Sequence, residues 1–495
     1  MRDQFYSEGP SFATNNSQMT TWHFLAILVA YFGLLLLISW LTGRKADNQS
    51  FFQANKSAPW YLVAFGMIGT SLSGVTFVSV PGTVGHAGFG YFQVVIGYFI
   101  GYFVVAFVLL PLYYRLNLTS IYSYLEHRFG MVAYKTGALF FIVSRTLGAT
   151  LRLYLVINVL QIFILDQMGV PFGITALIIL IMILAYTYHG GVKTIVWTDT
   201  LQTLFMLLAL IVCVVIILQR LDLSLAGAWA GMSDSGFTHW VETDWQSRKF
   251  WLKHILGGAF ITISMTGLDQ EMMQKNISVR NLADSQKNMI SFSVVLVIVN
   301  FLFLLLGGLL YLYAASLSLD VRGDDLFPSV AMNYLPGAVS IIFLIGLISA
   351  LFPSADGAIT ALTASFSLDI LGIRRNLKLS EKTRMIQRKR VHLGFAALFL
   401  ICVFIFKWIN NKSIIDILLA IAGYTYGPLL GLFAFGIFST RTPVGKWVPA
   451  VCLTAPVLSW CIDHFAPQLL GGYQFGFELL ILNGALTALG LYLIS

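Results

Sequence analysis

The sequence predicts an all-α integral membrane protein, and three observations carry that reading. Apolar side chains make up 58% of its 495 residues, charged ones only 11%, and mean hydropathy is +0.80; soluble domains are roughly 25% charged. About thirteen stretches are long and apolar enough to span a bilayer at roughly 20 residues each. Two of those stretches carry aspartates, Asp199 and Asp356. A charge at the centre of a spanning helix costs on the order of 2.5–3.5 kcal/mol, so each aspartate marks a functional position by default.

Taken in order, the apolar runs place helices near residues 22–41, 60–81, 89–113, 137–165, 172–188, 195–218, 250–267, 289–315, 337–371, 393–409, 414–438, 447–462 and 475–494, within one membrane domain covering residues 1–495. The polar segment before Trp22 lacks the basic start and small-residue cleavage site of a signal peptide, so the first run is expected to stay as a helix. Lys and Arg in short loops mark the cytoplasmic side. They gather in alternate loops: Arg44, Lys45 and Lys56; Arg115, Arg128 and Lys135; Lys193; Lys275, Arg280 and Lys287; Arg374 to Arg390; and Arg441 and Lys446. The loops between them are neutral or acidic. This pattern puts the N-terminus outside and the C-terminus in the cytoplasm. The net charge of +8 is therefore read as topology, with no nucleic acid partner. Cys213, Cys402, Cys452 and Cys461 sit in apolar stretches without CxxC spacing, which indicates neither a disulfide framework nor a zinc site.

The second run is interrupted by Gly69-Thr70-Ser71-Leu72-Ser73-Gly74, small and polar between apolar flanks. Five runs later, residues 257–270 repeat the character with Gly257-Gly258 and Ser264-Met265-Thr266-Gly267. Paired interruptions in corresponding helices point to an inverted-repeat secondary transporter with a central site. The alternative is close helix packing through small residues.

In the ninth run Ser349, Pro353, Asp356, Thr360 and Thr363 stack on one helical face. Pro353 has no N–H, so the Ser349 carbonyl loses its helical donor. A free carbonyl beside hydroxyls and a carboxylate suits a hard cation; a plain proline kink is the alternative. The run is also long enough that it must tilt, break near Pro353 or project from the bilayer. Gln202 and Thr203 share the face of Asp199. Arg145 and Arg152, seven residues apart on one face, could neutralise an aspartate, bind an anionic solute group or line a vestibule.

On these residues the chain resembles the sodium:solute symporter family. The matching features are Gly43-Arg44-Lys45-Ala46-Asp47 to Phe51-Phe52, the Thr70-Ser71-Leu72-Ser73 break, Gly190-Gly191-Val192 to Trp197-Thr198-Asp199, Thr266-Gly267-Leu268-Asp269-Gln270, the helix from Ser349 to Asp369, and Gly427-Pro428-Leu429-Leu430-Gly431. The resemblance implies a leucine-transporter-type core of five plus five inverted helices. Residues 60–218 would form the first repeat and 250–438 the second, with one extra helix at 22–41 and two at 447–494.

It further implies a principal sodium site formed by the carbonyls of Gly69, Leu72 and Ala350 and the hydroxyl of Ser354. Pro353 stands where a second hydroxyl is usual. A second sodium site near Asp199 and Asp356 is implied for some members; two close carboxylates would hold a cation or share a proton. Ser71, Ser73, Thr76 and Gln93 are implied for the solute, with Tyr424 and Tyr426 near the path. The arginine of sialic acid carriers falls at Gly148, one turn from both Arg145 and Arg152.

The expected function is sodium-coupled import of a small organic solute across the plasma or inner membrane by alternating access, with Na+ as the co-transported ion and no enzymatic activity. The rival classes are an intramembrane enzyme, for which His189 and His254 offer no catalytic constellation, and a sodium-gated sensor or channel, which no appended signalling domain supports.

Overall fold

The computed structural model describes residues 21–43, 59–375, 378–409 and 414–495, and every regular element among them is helical. Seven of these helices are long and apolar enough to cross a membrane, or up to nine if each of two bent pairs counts as one span. Three shorter apolar helices accompany them. Residues 44–58, with Arg44, Lys45 and Lys56, lie outside the described residues, as do the side chains of His189 and Lys193.

The first helix, α1, covers Thr21–Gly43. The expected span at 60–81 is two helices, α2 (Trp60–Ser71) and α3 (Gly74–Ala87), bent by 56°. They are followed by α4 (Tyr91–Arg115) and α5 (Met131–Met168). The two spans expected at 172–188 and 195–218 run on one uninterrupted helical backbone, α6 (Phe172–Leu221). Its length of 50 residues exceeds twice the roughly 20 residues that one crossing needs, so it supplies two crossings' worth of apolar surface. Gly190-Gly191 did not end the helix because no proline follows to remove a hydrogen bond.

The second interruption is also real. Helix α7 (Trp251–Thr262) runs into a wide π turn over Ile263–Gly267, the chain leaves helical geometry at Leu268 and Asp269, and α8 (Gln270–Asn276) begins again. Lys275, read as part of a cytoplasmic loop, is instead a buried residue of α8, only 3% exposed. Next come α9 (Leu282–Ser316), α10 (Gly337–Ile370) and α11 (Glu381–Ile409). Helix α10 does not break at Pro353; it continues for 34 residues, ending in another π turn. Protein covers it through its middle, so its excess length is not set against lipid. Arg388, in the same basic segment as the exposed Lys378, is buried. A third break, not expected, divides α12 (Ile414–Thr425) from α13 (Gly427–Phe438) at Tyr426, with a bend of 44°. Pro428 at the start of α13 accounts for it, since it cannot continue the preceding ladder. The chain closes with α14 (Val448–Leu469) and α15 (Leu479–Leu493).

Glycine sets the closest helix contact. A β-carbon on Gly97 of α4 would lie 2.2 Å from the Ile255 carbonyl oxygen of α7, and one on Gly258 would lie 2.3 Å from that of Val94. The two backbones touch because neither has a side chain there.

The two ends of the bundle differ. At the end carrying most of the basic loops, Tyr134 donates to Asp369 (2.7 Å), Ser365 donates to the same carboxylate (2.7 Å), and the Gln270 amide both accepts from Ile121 N–H (3.0 Å) and donates to the Thr119 carbonyl (3.0 Å). Arg375 pairs with Glu126 and lies over the Tyr134 ring. At the opposite end a vestibule of about 450 Å³ reaches inward past His86, Arg248 and Tyr424.

Gly97→Val should lower the thermal unfolding midpoint of detergent-purified protein, with a loss of roughly 1–3 kcal/mol from overpacking. Gly394→Ala, where nothing lies within 4 Å, should leave the midpoint level or raise it, since alanine favours a helix.

Candidate functional site

The α2–α3 break is the starting point. Leu72 (φ −85°, ψ 78°) and Ser73 (φ −75°, ψ 176°) leave helical geometry. The last bond of the first half joins Leu72 N–H to the Ile68 carbonyl at 2.8 Å, and the next joins Phe77 N–H to the Ser73 carbonyl at 3.1 Å. The carbonyls of Gly69 and Leu72 thus lack their helical donors. Across from them, α10 offers the Ser349 carbonyl freed by Pro353. A β-carbon on Gly69 would lie 3.6 Å from Pro353 Cγ, so the break and the proline turn are in contact. The Ser354 hydroxyl donates to its own helix at the Leu351 carbonyl (2.8 Å); its oxygen lone pairs remain for a ligand. This donor set of backbone carbonyls and a hydroxyl fits a hard monovalent cation. Helix α1 also enters here, as the Tyr31 hydroxyl shares a 2.7 Å hydrogen bond with the Ser349 hydroxyl.

One chain of buried polar contacts links all three backbone breaks. At the third break, Tyr426 OH donates to Asp269 Oδ2 at 3.0 Å. Asp269 caps α8 at the second break, its Oδ1 accepting from the N–H groups of Glu271 (2.9 Å) and Met272 (3.2 Å). Arg145 approaches Asp269 Oδ2 at 3.8 Å and pairs with Glu271. Glu271 Oε1 lies 3.4 Å from Lys275 Nζ. That ammonium lies 2.6 Å from Asp199 Oδ2 and 2.6 Å from Thr70 Oγ1, at the first break. Thr70 donates to Asp199 Oδ2 at 3.1 Å, and Gly69 N–H donates to Thr203 Oγ1 at 3.0 Å. Gly357 makes room for the chain: a β-carbon there would lie 2.2 Å from Glu271 Oε1.

Beside the break is a chamber of about 90 Å³. Ser71, Ser73, Thr76, Arg145 and Arg152 line it, together with Thr266 of the second interruption and hydroxyls that the sequence did not single out, among them Tyr98 and Tyr102. The chamber meets the vestibule at Tyr91, Ile261, Ile415 and Leu419, which line both. Arg152 is 8% exposed, takes part in none of the ion pairs among the described residues, and its Nε has no hydrogen-bond partner.

Residues 51–444 match the sequence profile of the sodium:solute symporter family. This chain belongs to the sodium:solute symporter family. The sodium/sialic acid symporter NanT of Aliivibrio fischeri is 24% identical over 449 residues, covering 88% of this chain and 86% of that protein. The sodium/sialic acid symporter SiaT of Proteus mirabilis is 21% identical over 450 residues, covering 87% of each. In fold, the chain is similar to a solved substrate-bound outward-open state of a Na+-coupled sialic acid symporter, with a TM-score of 0.82 at 18% identity, over 95% of this chain and 97% of that one.

Within this family member, the structure sorts the residues expected for function. Gly69 on α2 faces Pro353 of α10, the helix that carries Ala350 and Ser354, Leu72 lies at the break, and Ser71, Ser73 and Thr76 line the chamber. Gln93 is buried and donates to the Trp240 carbonyl outside the chamber. Tyr426 serves Asp269, while Tyr424 lines the vestibule and donates to Asp463 at 3.1 Å. Asp199 is paired with Lys275, and Asp356 Oδ2 accepts from Tyr186 OH at 2.6 Å. The second oxygens of both aspartates are buried without partners, as is Thr360 Oγ1. His254 stacks on Phe477 at 5.0 Å. Glu271 escaped the sequence reading and Lys275 was read as a loop residue, although their i,i+4 spacing is that of an intrahelical ion pair.

The two arginines should separate on substitution. Arg145→Met strands Glu271 and Asp269 in the interior and should cost roughly 3–5 kcal/mol, as for a broken buried pair, read as a large fall in the detergent unfolding midpoint. Arg152→Met breaks no pair and should leave the midpoint nearly unchanged.

Proposed function

We propose that this symporter imports a small organic anion together with sodium, the anion's carboxylate seated against Arg152. The unpaired Arg152 guanidinium in the chamber is the observation that carries the reading: a buried cation without a counter-charge is costly unless a ligand supplies one, and a planar guanidinium suits a carboxylate. The relatives named as sialic acid symporters take an acid, which supports the same class. The hydroxyls of Ser71, Ser73 and Thr76 would orient the remainder. At about 90 Å³ the chamber is below the roughly 300 Å³ at which ligand pockets usually begin, so a bulkier solute requires Ile415 and Leu419 to withdraw.

Sodium would sit between the α2–α3 break and α10, held by the carbonyls of Gly69, Leu72 and Ala350 and the hydroxyl of Ser354. In that position it joins two helices that share no covalent bond, and the solute chamber begins at the same break. Residues 60–218 and 250–438 serve as the two inverted repeats, with α1, α14 and α15 outside them, and solute entry and release follow the rocking of one bundle against the other. With the basic loops cytoplasmic, the vestibule opens outward and the contacts among Tyr134, Asp369, Arg375 and Glu126 close the cytoplasmic side. Each sodium ion entering down 100 mV supplies about 2.3 kcal/mol from the potential, which drives import in the plasma or inner membrane.

Proteoliposome uptake of labelled monocarboxylates and sugar acids should require an inward sodium gradient, with potassium inactive, and Arg152→Met should abolish it in folded protein; uptake of neutral sugars alone would refute the anion reading. Ser354→Ala should raise the sodium concentration for half-maximal uptake about tenfold, the equivalent of ~1.4 kcal/mol, measured in the same vesicles. Cysteines at the exposed positions of Lys378 and Lys382 should react with an impermeant maleimide only after permeabilisation, and labelling of intact cells would reverse the orientation.

A further inference from the structure

We propose that Lys275 is the resident cation of Asp199: a tethered ammonium occupies the position where a second sodium ion would bind, and the carrier binds a single sodium ion. The inference rests on the sodium-coupled reading above and specifies its stoichiometry.

Around Asp199 Oδ2 the geometry is that of a filled cation site. Lys275 Nζ has three oxygens about it, Asp199 Oδ2 at 2.6 Å, Thr70 Oγ1 at 2.6 Å and Glu271 Oε1 at 3.4 Å. An ammonium has three donors and no acceptor, so these oxygens use its full capacity. Asp199 is fully buried and Lys275 is 3% exposed, so the pair has no water to weaken it. A sodium ion reaching Asp199 Oδ2 would lie in contact with the ammonium, and like charges at that separation repel strongly in a buried site.

The contact also does mechanically what a bound ion would do. It joins Thr70 at the first break, Asp199 on α6 and, through α8, the second break. An ion from solution leaves with each cycle, whereas an ammonium on a four-carbon stem stays with α8. Among the described residues no ion pair or hydrogen bond puts a charged side chain on Gly69, Leu72, Ala350 or Ser354, and that site is left for the one exchangeable ion.

Equilibrium binding of radiolabelled sodium to the purified full-length protein tests this without knowledge of the solute. The native protein should bind one sodium ion per chain, and Asp199→Asn should leave that count at one. Lys275→Met, which uncovers the Asp199 carboxylate, should raise the count to two, and the double variant Asp199→Asn/Lys275→Met should return it to one. A native count of two overturns the proposal without any variant, and so does a folded Lys275→Met protein that still binds one. Loss of the native ion in folded Asp199→Asn also overturns it. If Lys275→Met does not yield folded protein, the native and Asp199→Asn counts decide. A native protein that binds no sodium at all defeats the sodium-coupled reading itself, which is a different result from a count of two.

Discussion

A backbone that breaks inside a membrane leaves carbonyls and amides that lipid cannot satisfy, so another part of the protein has to meet them. In this carrier the three breaks, at Leu72–Ser73, Leu268–Asp269 and Tyr426, are linked to one another by one connected set of side chains. Tyr426 reaches Asp269, Asp269 and Glu271 hold Arg145, and Lys275 carries the connection from Glu271 to Asp199 and Thr70. The packing follows from that set. Gly357 keeps α10 clear of Glu271, and Gly66 lets α2 approach Asp199 so closely that a β-carbon there would lie 3.3 Å from the Asp199 β-carbon.

The same set separates structural charges from working ones. Arg145 and Arg152 lie on one face of α5 and both border the chamber, yet Arg145 is committed to two carboxylates and Arg152 to none. A buried pair is weak evidence for function because it explains itself; a buried cation without a partner asks for a ligand. On the proposed reading the ion pairs hold the broken helices in register and the free guanidinium meets the solute.

Much of the site was legible as pattern. Small polar residues between apolar flanks exposed the first two breaks, and Pro353 with Ser349 and Asp356 exposed the polar face of α10, because helix periodicity alone puts those residues on one side. Family resemblance added the proposed sodium ligands, which are mostly carbonyls and leave no side-chain signature. The third break was present in Tyr426-Gly427-Pro428 but was absorbed into an apolar run. Lys275 was misread because a lysine near the end of an apolar run ordinarily marks a loop, and the carboxylates that draw it inward, Asp199 and Glu271, lie on two different helices.

The sequence by itself determined the membrane class, the positions of most helices, the first two breaks and the family, since all of these depend on local hydropathy, periodicity and ordered motifs. Only the tertiary structure decided which charges meet. Hydropathy records that burying a charge is expensive, but not which opposite charge compensates it. That depends on distances between α2, α5, α6 and α8, and Asp199 finds its partner in Lys275, 76 residues away in the chain.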